Sequence, residues 1–301
     1  MRVWILLVLF ICGCSGEDNG KPDAGEEPDA VAEEPQAGDD GAATGDGDVN
    51  GDDYDLGDDG GGDEAQDIWS PSPGTSWQWQ LTGTVDASID VVMYDIDLFD
   101  VPQATIDQLH ADGRIVICYF SAGSREDWRP DKDDFPPGAI GNQLDNWPGE
   151  NWIDIRDATV REIMQARMDL AVQKNCDGVE PDNVDAYTNN PGFNLTAADQ
   201  LDYNRFLASE AHSRGLSVGL KNDLDQVVDL LSDFDWALNE ECFDWNECDM
   251  LLPFIQAGKA VFHVEYGDAQ LAEDICPQAN ELNFDTLIKN YDLDAWRISC
   301  R

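Results

Sequence analysis

The sequence predicts an α/β fold, a (β/α)8 TIM-like barrel, behind a long acidic lead-in. Over residues 68–301, eight strand-like runs alternate with helical patterns. Most of the runs are continuously apolar, as strands are when helices cover both faces of a parallel sheet. Six of the eight end in ionisable or hydroxyl side chains, at the end of a barrel strand that carries chemistry. A chain of 301 residues has room for one such domain and an extension.

In chain order, Met1-Arg2 is a short positive region and Val3 to Ile11 an apolar one, followed by Cys12-Gly13-Cys14. This reads as a secretory signal too short to span a bilayer. It resembles the bacterial lipobox, which implies cleavage after residue 13, lipidation of Cys14 and an exported, membrane-anchored protein, periplasmic or at the cell surface. An ordinary cleaved signal is the alternative. Residues 14–67 read as a linker: from 17 to 67 there are 20 Asp and Glu against one Lys and almost nothing apolar. Such a stretch cannot bury enough surface to offset its ordering entropy, so a disordered tether is expected. Asp46 to Asp52 matches the first half of a calcium loop, but Gly57 stands where the closing Glu belongs.

Residues 68–301 are acidic in their own right, with 43 acidic and 15 basic residues, a net of −28. Nucleic acid and anionic lipid are disfavoured as partners and a cationic ligand is favoured; solubility alone is the plainer explanation. Six cysteines fall here, which in an oxidising compartment allow fifteen pairings. The short Cys242–Cys248 loop is the first expected disulfide and Cys276–Cys300 the second. Cys118, inside an apolar run, and Cys176, just before one, could be free. No CxxC occurs and His110, His212 and His263 are scattered, so no metal and no cofactor are expected.

The strand runs are 77–81, 91–97, 114–121, 177–182, 217–222, 236–241, 259–266 and 295–300. Residues 158–174 carry apolar side chains at helical spacing. Thr196 to Asp199 forms a capping-box pattern ahead of a helix that Gly215 can end. The first crossover is too short for a regular helix. The third, residues 122–156, is long and Gly/Pro-rich and should cover the barrel mouth.

Residues 175–185, NCDGVEPDNVD, organise the rest. Side chains alternate along a strand, so Glu180 and Asp182 share a face. Carboxylates repel and cost free energy to bury, so packing alone does not gather them; a solvated acidic loop is the bland alternative. Around them stand Asp95 and Asp97 on strand two, and Tyr119 on strand three. Asn183 and Asp185 follow strand four, Lys221 and Asn222 end strand five, Asn239 to Glu241 end strand six, and Glu265 and Tyr266 end strand seven.

CYFSAGSREDWRPDKDDFP, NWIDIRD, CDGVEPDNVDAY, VGLKN, LNEEC and GKAVFHVEY together resemble glycoside hydrolase family 114, the endo-α-1,4-polygalactosaminidase family. The resemblance runs from about Trp77 to Tyr266. It implies a barrel that cuts α-1,4-linked galactosamine polymers, with a catalytic Asp after strand four and a Glu after strand six: Asp182 of VEPDNVD and Glu240 of LNEEC. Residues 177–183 also resemble the D-x-x-x-x-D-N nucleophile strand of α-galactosidases, which favours Asp182 over Glu180 or Asp185; Glu241 beside Glu240 leaves strand six less secure.

Glycoside cleavage needs one ionised and one protonated carboxyl group across the scissile bond. Asp182 is assigned as nucleophile and Glu240 as general acid/base, in a retaining sense. Lys221 and Asn222 would hold Asp182 ionised. Asp95, Asp97, Tyr119, Glu180, Asn183, Asp185, Asn239, Glu265 and Tyr266 would line the substrate cleft, with Trp128 and Trp152 as candidates for stacking on sugar rings. The expected partner is a cationic, galactosamine-containing polysaccharide, bound by a monomer. Competing readings are a non-catalytic carbohydrate-binding barrel, a metal-dependent hydrolase and a Lys221 Schiff-base enzyme.

Overall fold

The structure is a computed structural model in which residues 68–301 are described. The signal segment, Cys14, the acidic tether and the half calcium loop lie outside the described residues. Among the described residues no helix is long and apolar enough to cross a membrane.

Eight parallel strands follow one another in chain order around a curled sheet: β1 (Trp77–Gln80), β2 (Met93–Asp97), β3 (Ile115–Ser121), β4 (Gly178–Asp182), β5 (Ser217–Lys221), β6 (Trp236–Glu240), β7 (Val261–Tyr266) and β8 (Asp285–Lys289). A two-residue β9 (Ile298–Ser299) adds to β8 in the antiparallel sense. Four longer helices pack outside: α1 (Gln103–Ala111), α2 (Ala158–Gln173), α3 (Ala197–Ser213) and α4 (Ala269–Glu281). The crossovers after β1, β5 and β6 hold no long helix. The expected capping box is present at α3, where Thr196 and Asp199 satisfy each other's backbone N–H groups.

The eighth strand differs from the expectation. The apolar content of residues 295–300 points to them, but the barrel strand is Asp285–Lys289, and only Ile298–Ser299 pair beside it. α4 ends at Glu281 and Asn283 takes a left-handed φ of 65°, turning the chain into β8. Between β8 and β1 the cylinder is linked through side chains and the C-terminal segment. Trp77 Nε1 donates to the Asp285 carbonyl at 2.8 Å, Gln78 Nε2 to the Ala295 carbonyl at 3.1 Å, and Leu81 N to the Leu293 carbonyl at 3.0 Å.

Strand alternation sorts the core into two. Inward-facing Trp77, Trp79, Met93, Ile117, Trp236, Leu238, Phe262, Val264 and Leu287 fill the cylinder below the site. Outward-facing Tyr94, Val116, Phe120, Val179 and Val218 pack with Ile106, Leu109, Met164 and Leu207 of the helices. The indole of Trp236 needs Gly219 beside it: a Cβ there would stand 2.3 Å from the ring. Disulfides join Cys242–Cys248 and Cys276–Cys300, as expected, and also Cys118–Cys176, which the sequence left open as free thiols. Pairing of β3 with β4 puts Gly178 opposite Ile117, which brings those two cysteines to a Cα separation of 6.0 Å.

The long third crossover is not a bare loop. It folds a three-stranded antiparallel sheet from Ser124–Glu126, Glu150–Ile153 and Ile140–Gln143. Two buried arginines clamp this excursion to the barrel. Arg129 bridges Asp97 of β2 (2.6 Å) and Glu126 (2.8 Å). Arg167 of α2 holds the Asp131 carboxylate at 2.8 and 3.0 Å and donates to the Ser121 carbonyl at the end of β3. Removing one partner of a buried ion pair leaves an uncompensated charge. Arg167→Met should therefore lower unfolding stability by about 3 kcal/mol, measured by urea denaturation; an unchanged midpoint would show that the clamp contributes nothing.

Candidate active site

The C-terminal ends of β4, β5 and β6 converge on one cation. Lys221 is only 2% exposed, and its Nζ lies 2.9 Å from Asp182 Oδ1, 3.0 Å from Glu240 Oε2 and 3.3 Å from Glu180 Oε1, with the Trp79 ring centroid at 5.0 Å. Burial works against the ammonium charge, but Asp182, Glu240 and Glu180 outweigh it and hold its pKa well above the ordinary lysine value. An amine held charged has no free electron pair, which disfavours the Schiff-base reading.

Two carboxylates around Lys221 are partly open, and their remaining contacts fix their orientation. The Asp182 side chain is 17% exposed; Oδ1 also accepts from Asn183 N at 2.7 Å, and Oδ2 accepts from the Tyr119 hydroxyl at 3.0 Å. Asn183 has φ 61°, and its turn lets the chain after β3 pass so closely that a Cβ on Gly123 would lie 1.6 Å from the Asn183 carbonyl oxygen. The Glu240 side chain is 24% exposed, and its Oε1 accepts from the Tyr266 hydroxyl. Asn222, at φ 50°, accepts from Glu240 N at 3.0 Å and from Asn239 Nδ2 at 3.1 Å, tying the end of β6 to that of β5.

Below them the acids are closed off. Glu180 is fully buried and accepts from Trp79 Nε1 at 3.0 Å. Asp95 is equally buried, with neither carboxyl oxygen hydrogen-bonded; burial and then the nearby Glu180 charge push its pKa far up, so of this pair Asp95 is the acid that carries a proton. These two acids form the floor of the site, and the open cleft lies above them.

Other expected cleft residues lie elsewhere. Asp97 is buried and spent on Arg129 and on the N–H groups of Phe99 (2.8 Å) and Asp100 (2.7 Å). Glu265 alternates with Val264 and Tyr266, so it faces the helices, where it accepts from Phe243 N at 2.9 Å and meets His263 Nε2 at 3.1 Å. Asn239 likewise lies on the outward face of β6. Trp152 is buried in the core, whereas Trp128 is half exposed. Asp185 lies at the rim beside Asp182; burial, then the Asp182 charge, raises it to about 6.

Sequence reasoning passed over Trp79, Glu126, Arg129, Glu150, Asp223 and Lys289. Lys289 was hidden by the misplaced eighth strand; it is buried, donates to the Asp294 carbonyl, and burial lowers it to about 8. Glu126 and Glu150 sit opposite each other in the excursion sheet, a pairing that no periodicity in a long loop reveals.

A barrel whose strand ends hold two partly open carboxylates across one cation defines a glycosidase. The chain belongs to glycoside-hydrolase family GH114, whose model matches residues 62–301. Among solved structures it is similar to Aspergillus fumigatus Ega3, crystallised in complex with galactosamine, at 46% identity and a TM-score of 0.75 over 77% of this chain and 97% of that one. The glycoside hydrolase domain of Pseudomonas aeruginosa PelA shares the fold (TM-score 0.59, 11% identity, 74% of this chain and 97% of that one). An uncharacterized protein of Deinococcus radiodurans is 25% identical over 257 residues, 71% of this chain and 82% of its own length.

The buried acids make stability depend on pH. Asp223 is raised from an ordinary 3.8 to about 8, first by burial and then by Asp185; Asp285 is raised to about 6 by burial. Each binds its proton more tightly folded than unfolded, so its contribution is full below the ordinary value and lost as pH rises through the folded one. Asp154 and Asp199, lowered by hydrogen bonds from Arg156 and Thr196, act oppositely, but only at lower pH. The urea midpoint should be higher at pH 5 than at pH 8.5, and Asp223→Asn should flatten the difference. A midpoint that rises steadily to pH 8.5 would contradict this reading.

Proposed function

We propose that this protein is an exported, lipid-anchored hydrolase that cleaves α-1,4-linked galactosamine-containing polysaccharide, with Asp182 as nucleophile, Glu240 as general acid/base and retention of anomeric configuration. The observation that carries the reading is the Lys221 bridge. Both carboxylates lie within 3.0 Å of one nitrogen, so their nearest oxygens are at most about 6 Å apart. Double displacement uses carboxyl groups roughly 5–5.5 Å apart, and inversion about 6.5–9.5 Å. The bound galactosamine of the similar Ega3 structure supports an aminosugar, as does the net −28 of residues 68–301. Export and anchoring rest on the first fourteen residues, and the acidic stretch to residue 67 would act as a spacer before one catalytic domain.

In the first step the Asp182 carboxylate attacks the anomeric carbon while Glu240 gives its proton to the departing glycosidic oxygen. The product is a glycosyl ester on Asp182, and the leaving chain departs with a new hydroxyl. Once Asp182 is esterified, the Lys221 charge is left to Glu240 and Glu180. Glu240 then takes a proton from water, whose oxygen attacks the anomeric carbon and frees Asp182. Tyr266 and Asn222 hold Glu240 in place through both steps, and Tyr119 and Asn183 orient Asp182.

Asp182→Asn and Glu240→Gln should each fold normally and lose roughly 10²–10⁴-fold in kcat, read as reducing ends released from deacetylated galactosamine polymer. Glu241→Gln should lose far less, because Glu241 leaves the strand at φ 60° and accepts from the Tyr291 hydroxyl at 3.1 Å. NMR of the first product should show the α anomer. Near-full activity in either catalytic variant, or a β product, would overturn the assignment.

A further inference from the structure

The acids around Lys221 are balanced by that cation, by the Asp95 proton and by hydroxyl donors, whereas one acid on the excursion sheet has no direct partner. Glu150 is 6% exposed, yet among the described residues its carboxyl group has no hydrogen-bond or ion-pair partner. It stands directly opposite Glu126, where two like charges repel. Glu126 gives one oxygen to Arg129 at 2.8 Å, and its other oxygen, Oε2, is buried without a partner. Arg129 is already engaged by Asp97, so it cannot neutralise both glutamates.

This pair lies on the Asp182 side of the cleft. The charges that act on the Tyr119 hydroxyl, itself bonded to Asp182, are those of Asp182, Glu126, Glu150 and Glu180. The excursion is fastened there by the backbone: Ala122 N and Gly123 N both donate to the Asp182 carbonyl, and Ile153 N to the Gly123 carbonyl. Gly149, at φ 97°, makes the turn into the strand that begins with Glu150. Half-exposed Trp128 and Trp147 stand beside that turn, giving its outer edge an aromatic surface.

We propose that Glu150, backed by Glu126, recognises the ammonium group of an aminosugar residue bound beside Asp182, and so sets the preference for the free amine over its acetylated form. This deepens the proposed function and rests on its aminosugar reading. A buried carboxyl group without a cation is costly, and an alkylammonium supplies both the charge and the N–H donors that Glu150 and Glu126 Oε2 lack. An N-acetyl group brings one neutral N–H and added bulk. Burial and the neighbouring Glu126 and Asp182 raise Glu150 to about 8, with Arg129 and Lys221 opposing, so at neutral pH it holds a proton that a docking ammonium expels.

The test is calorimetric and uses the full chain carrying Glu240→Gln, so that no substrate is turned over. The probes are a galactosamine oligosaccharide and its fully N-acetylated counterpart. The parent should bind the amine more tightly and release a proton on binding, seen as an enthalpy that varies with the ionisation enthalpy of the buffer. Adding Glu150→Gln should weaken amine binding by roughly ten- to hundredfold, abolish the proton release and leave the acetylated oligosaccharide unaffected. Glu150→Asp, which keeps the charge, should retain much of the preference and replaces the Gln variant if that one melts early. If the parent prefers the amine and Glu150→Gln keeps both preference and proton release, Glu150 is not the recognition residue. Equal losses for both probes would show a merely structural role. If the parent shows no preference for the amine, the aminosugar reading falls and takes this assignment with it.

Discussion

One buried ammonium group organises the site. Lys221 reaches the centre of the barrel mouth from β5 and meets Asp182 and Glu180 from β4 on one side and Glu240 from β6 on the other. Without a cation, three carboxyl groups at such separations would repel one another and take up protons. With it, the two partly open acids are held in place. Asp95 absorbs the remaining imbalance by carrying a proton. The charge pattern is a property of the whole layer of strand ends, which is why none of these residues can be read alone.

The barrel supplies the rigidity this arrangement requires. Trp77, Trp79, Trp236 and Phe262 pack the cylinder beneath the acids, and Trp79 turns its indole N–H up to Glu180. Residues at left-handed φ cluster just past the strand ends: Asn183, Asn222, Asp223 and Glu241. Asparagine and aspartate tolerate that conformation better than most residues, and the sharp turns leave the strand-end side chains facing the opening. Arg129 and Arg167 perform the matching task for the excursion after β3, fixing the long insertion that carries Glu126 and Glu150 against the rim.

Seven of the eight barrel strands were legible because apolar runs alternating with helical patterns, six of them ending in ionisable or hydroxyl side chains, are a strong joint signal. The eighth was not: residues 285–289 carry Asp, Thr and Lys among their apolar side chains, while residues 295–300 look as apolar and turn out to be edge. Alternation placed Glu180, Asp182 and Glu240 on the inward face correctly, and the same rule would have excluded Glu265, which is out of step with Tyr266 on its own strand. Reading every polar residue at a strand end as a cleft residue does not tell the two faces of that end apart. The Cys118–Cys176 bridge needed the β3–β4 register, and Glu150 needed the fold of the excursion sheet. Both depend on long-range pairing, on which local sequence is silent.

The role of Lys221 as the charge that holds the two reacting carboxyl groups is tested most directly by Lys221→Met, which keeps most of the length of the side chain and removes its charge. The measurement is kcat/KM for reducing-end release from deacetylated galactosamine polymer, on protein verified to melt cooperatively. Loss of a preorganised charge at the reacting groups should lower it by at least about a hundredfold. A folded Lys221→Met protein with the parent's kcat/KM would contradict the account.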